Sequence, residues 1–281
     1  MEIFKKIASL KVYLEEIRRS GKTIGLVPTM GALHRGHLEL INASKAQNYA
    51  TICSIYVNPT QFNNPADLQK YPRNLDKDMK LLGTVGCDAV FCPDNDEMYD
   101  GQSVLKFDFG SLDKVMEGKY RPGHFSGVAL VVCKLFNVVG PHNAYFGQKD
   151  WQQFAVIQQV VQELKFGLIL HSIPTLREND GLAMSSRNLR LNDRQRQQAA
   201  VFFQALRLAQ ENLKMGKEIA GVKRLVKETV ENTEEMSLEY FEVAESKTLD
   251  LLDRIDGATQ PIMCIAGYVG EVRLIDNMFL N

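Results

Sequence analysis

Thr23-Ile24-Gly25-Leu26-Val27-Pro28-Thr29-Met30-Gly31-Ala32-Leu33-His34-Arg35-Gly36-His37 is the stretch from which the rest of the chain can be read. Residues 23–28 form a short, nearly continuous apolar run, the pattern of a strand covered on both faces. Gly31 permits a sharp turn, and from 37 to 48 the apolar residues recur at helical spacing. Strand, tight turn and helix in that order open a βαβ unit.

The same alternation continues outward. Further strands are expected at 51–58, 88–92, 144–146 and 168–172, with helices at 37–48, 75–82, 125–139 and 150–165 between them. The first 21 residues alternate apolar and charged side chains at helical spacing and lack the apolar segment of a signal peptide. After Pro174 a polar stretch, Arg177-Glu178-Asn179-Asp180-Gly181, leads to helices at 193–215 and 218–233 and strands at 238–244, 262–268 and 272–275. The fold class is therefore α/β. Residues 1–175 form a doubly wound parallel sheet, and 176–281 form a smaller α+β domain covering the active site. In such sheets ligands bind outside the carboxyl ends of the strands, which directs attention to the segments just after 28, 58 and 146.

Bulk properties narrow the class. A 281-residue chain that is 45% apolar and 24% charged can bury a sizeable core. A formal net charge of -1 argues against nucleic acid as the main partner. No apolar stretch approaches the ~20 residues that span a bilayer, so no membrane association is expected. The five cysteines lie mostly in apolar runs without metal-ligand spacing, the pattern of reduced thiols in a cytoplasmic protein.

His34-Arg35-Gly36-His37 follows the first strand and opens a helix, where backbone N–H groups and a partial positive charge attract anions. Gly31 and Gly36 allow a phosphate close to the backbone. Two imidazoles three residues apart can donate to the same phosphate as its charge grows. A surface histidine beside a structural one is the bland alternative. Zinc is another, but no third ligand stands at a plausible spacing. The strand–turn–helix context favours phosphate.

At this point the chain resembles the pantothenate synthetase (pantoate–β-alanine ligase) family, within the larger superfamily of HxGH nucleotidyltransferases that includes class I aminoacyl-tRNA synthetases. The resemblance rests on several segments in order. After HRGH come Asn58-Pro59-Thr60-Gln61-Phe62, Tyr71-Pro72-Arg73, Arg121-Pro122-Gly123-His124-Phe125, Phe146-Gly147-Gln148-Lys149-Asp150-Trp151-Gln152-Gln153 and Met184-Ser185-Ser186-Arg187-Asn188. Two positions depart from the family pattern. Leu130 stands where Thr is expected, and Lys77 stands where some members carry an acid, which leaves Asp78 as the nearer carboxylate for magnesium.

The resemblance implies a Rossmann-like fold and a ligase that uses ATP with Mg²⁺, pantoate and β-alanine, usually as a homodimer. It implies catalytic roles for His34, His37, Lys149 and Arg187. ATP would be bound by Met30, Gly31, Ala32, Leu33, His34, Arg35, Gly36, His37, Gly147, Gln148, Lys149, Asp150, Leu176, Met184, Ser185, Ser186 and Arg187. Pantoate and β-alanine would meet Gln61, Gln153, Thr29, Met30 and Arg121.

These side chains suit those roles. Gln61 and Gln153 carry neutral amides that can fix a hydroxy acid without blunting its carboxylate as an ion pair would, although either alone could be a surface residue. Gln153 shares a helical face with Val156, Ile157 and Val160. Lys149 follows a strand end and a glycine. Asp150 begins a helix and could be a cap as well as an ATP contact. Ser185, Ser186 and Arg187 offer two hydroxyls and a guanidinium to phosphate oxygens, where the bland alternative is a linker. Arg121 is a further cation for the triphosphate, while Arg194 and Arg196 read as solvated. The apolar stripe from Val128 to Val139 reads as helix core or partly a dimer contact. Another HxGH nucleotidyltransferase acting on a phosphorylated small molecule would need a basic acceptor pocket where Gln61 and Gln153 stand. A tRNA-binding remnant of a synthetase would need a basic appended module.

Overall fold

The structure is a computed structural model that describes residues 1–101, 103–257 and 259–280. In chain order the first elements are β1 (Glu2–Phe4), α1 (Ile7–Arg19), β2 (Ile24–Thr29), α2 (Arg35–Gln47) and β3 (Ala50–Ile55). Then come α3 (Pro65–Lys70), α4 (Leu75–Thr84), β4 (Ala89–Phe91), α5 (Asn95–Met98), α6 (Met116–Tyr120) and α7 (His124–Val139). After β5 (Asn143–Gly147), α8 (Trp151–Glu163) and β6 (Ile169–Ile173) follow α9 (Asp193–Gln198), α10 (Val201–Lys214) and α11 (Ile219–Glu231). The chain closes with β7 (Met236–Glu245), β8 (Pro261–Val269) and β9 (Val272–Phe279).

Contacts divide the chain into two compact units. The first contains Met1–Phe109, Arg121–Gln148 and Val156–Pro174; the second contains Gly110–Tyr120, Lys149–Ala155 and the chain from Thr175 onward. Two segments of the stretch 1–175, Gly110–Tyr120 and Lys149–Ala155, thus fold with the second unit.

In the first unit, among the described residues, six strands pair in parallel in the order β1-β4-β3-β2-β5-β6. The order reverses between β2 and β5, the topological switch point of a doubly wound sheet. There the ladder is short. It runs from Gly25↔Asn143 to Leu26↔Ala144, although β2 continues to Thr29 and β5 to Gly147. The paired ladder thus stops before the carboxyl ends of both strands. Val27, Cys53, Val90, Ile41, Leu82 and Tyr145 pack together at one face of the sheet. On α7, Val128, Val131, Val132, Leu135, Phe136 and Val139 are all buried, as is Leu130, so the apolar stripe is core. Burial also pushes the thiols of Cys87 and Cys133 up to about 11, which keeps them protonated and unreactive.

In the second unit β7, β8 and β9 form an antiparallel sheet. Helices α10 and α11 cover it through Phe202, Leu206, Ala209, Val222, Val226 and Val230.

Two local expectations need correction. The N-terminal segment is not helical throughout: Glu2–Phe4 is an edge strand paired with β4, and α1 starts at Ile7. The single helix expected over 193–215 is two. Its backbone stays helical at Ala199 (φ -56, ψ -25) and Ala200 (φ -62, ψ -19). The Phe202 amide, however, bonds back to the Ala199 carbonyl, a tighter 3-10 turn between α9 and α10.

Candidate active site

The turn from β2 to α2 is held by side chains from elsewhere in the first unit. The Thr29 hydroxyl donates to the Ser54 carbonyl (2.7 Å) and accepts from the Gly31 amide (3.2 Å), so its proton is committed within the fold. Gly31 has φ +76, and a Cβ there would lie 2.9 Å from Asp78 Oδ2. Ala32 is also left-handed, with φ 49, an unfavourable conformation for a residue with a side chain. Asp78 compensates: its carboxylate accepts from the Ala32 amide at 2.9 Å and the Leu33 amide at 2.7 Å. Asp78 is 1% exposed. Burial raises its pKa and the two amides work in the opposite direction. The carboxylate thus has a structural role in the turn, with one accepted bond on each oxygen.

His34 is the N-cap of α2, with extended backbone (φ -141, ψ 174), and the helix begins at Arg35. Arg35 faces outward, while His34, Gly36 and His37 are half-buried. The His34 amide donates to His37 Nδ1 at 3.3 Å. The two rings lie 4.1 Å apart at 43°. Because Nδ1 of His37 accepts, the proton of the neutral ring sits on Nε2. The two imidazoles lie side by side at the first turn of α2.

Gln61 lies in a 3-10 turn, Pro59–Gln61, after β3 and is 7% exposed. Its Nε2 donates to Met30 Sδ (3.0 Å), and its Oε1 accepts from Asn58 Nδ2 (3.2 Å). Its backbone carbonyl meets His124 Nδ1 at 2.8 Å. Asn58, 1% exposed, is the hub. It also donates to the Gly127 carbonyl (3.1 Å) and accepts from Tyr99 OH (2.8 Å) and Thr60 Oγ1 (3.0 Å). Gly127 makes this approach possible, because a Cβ there would lie 2.3 Å from the Thr60 carbonyl oxygen. Asn58 and His124 stand inside the quoted motifs, yet the sequence reading singles out neither. The available signal for Asn58 is an Asn before Pro, a cap at the start of a turn. Arg121, half-buried, stands in the turn before α7, where its carbonyl accepts from the His124 amide. Gly147 ends β5, and Gln148 follows it in a 3-10 turn.

The second unit carries the remaining predicted residues. Lys149 and Asp150 complete that 3-10 turn and run directly into α8. The Lys149 ammonium stands 4.0 Å from the Asp150 carboxylate. Gln152, 5% exposed, is anchored: it accepts from the Glu117 amide (3.0 Å) and donates to the carbonyls of Leu112 (2.8 Å) and Val115 (3.0 Å). Gln153, its neighbour, is half-buried. The Met184 amide bonds to the Leu176 carbonyl at 3.0 Å, which closes the hairpin that delivers Ser185, Ser186 and Arg187. Ser185 Oγ caps the Ser186–Arg190 turn by accepting from the Arg187 amide at 3.3 Å, and Ser186 is buried. Arg196, read as solvated, is instead paired with Asp180 at 2.6 and 3.2 Å.

Comparison with known proteins decides the lineage. The family model described as pantoate-beta-alanine ligase matches residues 2–279. The chain belongs to the pantoate–beta-alanine ligase family. It is 46% identical over 275 residues to the pantothenate synthetase of Cytophaga hutchinsonii, covering 98% of this chain and 97% of that one. It is 45% identical over 278 residues to that of Porphyromonas gingivalis, with 99% of each covered. The crystal structure of pantothenate synthetase from Thermus thermophilus superposes with a TM-score of 0.93 at 37% identity, covering 100% of this chain and 99% of that one. Pantoate-beta-alanine ligase from Francisella tularensis, complexed with beta-gamma ATP and beta-alanine, gives 0.84 at 33%, covering 100% and 98%. The parallel sheet is shared with these structures.

Among the described residues no group of three or more His, Cys, Asp or Glu side chains is arranged to hold a metal, and no helix is long and apolar enough to cross a membrane.

Proposed function

We propose that the chain joins pantoate to β-alanine in two ATP-dependent steps. In the first, a pantoate carboxylate oxygen attacks the α-phosphorus of ATP. The bond to the pyrophosphate oxygen breaks, giving pantoyl adenylate and pyrophosphate. In the second, the β-alanine amine attacks the acyl carbon, the acyl–phosphate bond breaks, AMP departs and the nitrogen loses a proton. The observation that carries this reading is the His34–His37 pair at the start of α2, just after β2, whose ladder with β5 stops before its carboxyl end. Donors fixed there act on phosphate oxygens whose charge develops in the transition state.

In this reading Nε2 of His37, with His34, donates to the transferring phosphate. Lys149, Ser185, Ser186 and Arg187 neutralise the phosphate oxygens. The backbone of residues 30–37 and 147–150, with Leu176 and Met184, borders the nucleotide. Gln61, Gln153, Thr29, Met30 and Arg121 border pantoate and β-alanine. Gln61 orients pantoate with an amide that Asn58 and Met30 hold in one rotamer, and Thr29 contributes by shaping the turn. Mg²⁺ supplies charge neutralisation of the triphosphate when bound. Asp150 stands beside Lys149, and Asp78 is engaged by the turn. The division of the chain near 175, a homodimer and a cytoplasmic setting complete the reading.

Exchange of labelled pyrophosphate into ATP tests it. Exchange that requires pantoate is the expected result. Exchange that requires a phosphorylated acceptor instead would overturn it.

A further inference from the structure

Lys149, just before α8, and Trp151 and Gln152 at its start are tied into the second unit. Asn277 Nδ2 donates to the Lys149 carbonyl at 2.7 Å. Trp151 Nε1 donates to the Ser246 carbonyl at 2.7 Å, and Gln152 is engaged at both ends of its amide. Of these, Asn277 touches the residue that carries the cation.

Asn277 is itself fixed. It lies on β9, is 5% exposed, and its amide donates to Asp276 Oδ1 at 2.8 Å. Its carbonyl accepts from Arg177 Nη2 at 3.1 Å. Arg177 also clamps Asp276 with both ends of its guanidinium, at 2.6 and 3.0 Å. The same guanidinium donates to the Gly181 carbonyl at 3.0 Å and stacks on the Phe203 ring at 4.7 Å. Arg177 pairs with Ala183 across the hairpin that leads to Ser185. One hub thus grips the backbone of Lys149 on one side and the root of the Met184–Arg187 segment on the other. A planar fork with fixed donors suits this task, because a bidentate pair restrains angle as well as distance.

We infer that Asn277 is a positioning residue for Lys149: with its own backbone held by the Arg177–Asp276 pair, its side-chain amide sets the backbone from which the Lys149 side chain reaches the phosphates of ATP. The inference rests on the proposed role of Lys149 in the ligase reaction. A lysine is a point charge on a flexible stem, so its aim depends on the backbone at its root. An error of about 1 Å there costs up to roughly a hundredfold in rate.

The test is a double-mutant cycle read by pantoate-dependent ATP–pyrophosphate exchange on the full-length protein. Asn277→Asp keeps the shape and sets an oxygen against the Lys149 carbonyl in place of the donor. It is expected to lower exchange about 10- to 100-fold through kcat and the KM for ATP, with the KM for pantoate within about twofold of native. Lys149→Ala is expected to lower exchange further, and Asn277→Asp added to Lys149→Ala to lower it no more, because one residue acts through the other. Asn277→Ala enters the same cycle if the Asp variant does not fold. Exchange by the Asn277 variant within twofold of native overturns the inference, as do losses that multiply in the double variant. Native protein without pantoate-dependent exchange would overturn the ligase reading itself, and this inference with it.

Discussion

His37 accepts through Nδ1 the backbone amide of His34, the residue three positions earlier, and the two rings rest 4.1 Å apart. The contact fixes which nitrogen of His37 carries the proton. One nitrogen of the ring thus holds the helix start while the other carries the proton.

Substitutions at position 37 can part those functions. His37→Asn retains an oxygen that can accept the His34 amide but loses the Nε2 donor. His37→Ala loses both. Both variants are expected to lower pantoate-dependent exchange by roughly 10²–10³-fold, the range for removing one transition-state donor. Thermal unfolding should change by no more than about 1 kcal/mol for Asn, the size of one lost cap. Near-native exchange in either variant would sink the assignment of His37 to phosphate.

Asp78 acts one step further back. Asp78→Ala leaves the buried amides of Ala32 and Leu33 without their acceptor and should destabilise the first unit by about 1–3 kcal/mol. The loss is limited because burial already works against the carboxylate charge. Exchange activity should fall together with stability, because the freed turn is the one that leads to His34. Urea unfolding and exchange on the same preparation check this. A variant with native stability would show that the carboxylate does not hold the turn.

Gly127→Ala probes the Gln61 side. The added methyl meets backbone at Thr60 and Gln61, which cannot rotate away. Overpacking of this kind costs about 1–3 kcal/mol. The KM for pantoate should rise several-fold while that for ATP stays near native, since the displaced turn carries Gln61 and not the histidines. Equal changes in both constants would contradict the placement of pantoate at Gln61.

His171, on β6, stacks on Tyr145 at 4.6 Å and meets Asn143 Oδ1 at 2.8 Å. Burial lowers its pKa below the ordinary histidine value. The folded state then binds fewer protons than the unfolded chain. This contribution to stability is complete above about pH 6.5 and is lost as pH falls through the folded value. Urea midpoints measured from about pH 7.5 down to 5.5 should decline, and His171→Phe, which keeps the stack, should flatten part of that decline. An identical slope in the variant would assign the pH dependence elsewhere.

Elements with strong periodicity are legible in the sequence. The run over 23–28, the helix after His37 and the buried face of α7 announce themselves through which residues are apolar and at what spacing. The motifs put Gln61, Lys149 and Ser186 on turns at element ends, where the structure has them. What is not legible depends on distant partners. Nothing near Asp78 in the sequence shows that its oxygens meet amides 45 and 46 residues earlier. Nothing near Asn277 shows that it bonds to Lys149, 128 residues away. The edge strand at Glu2–Phe4 has three residues, mostly exposed, too few for a period to register. The break after α9 falls between two alanines, which carry no breaking signal of their own.

Glu117 lies in a segment that folds with residues made much later. It is 6% exposed and bonds to Tyr240 and, through both carboxylate oxygens, to Arg273, 156 residues further on. Burial opposes the Arg273 charge, but Glu117 and Glu239 more than offset it and raise its pKa. During synthesis, at about 5–20 residues per second, Glu117 leaves the ribosome roughly 8–30 s before its counter-ion exists. Until then its segment must stay hydrated and undocked, and so must the start of α8 that Gln152 ties to it. The first unit can assemble its sheet in that interval, whereas the Lys149 carbonyl gains its Asn277 partner only once β9 is made.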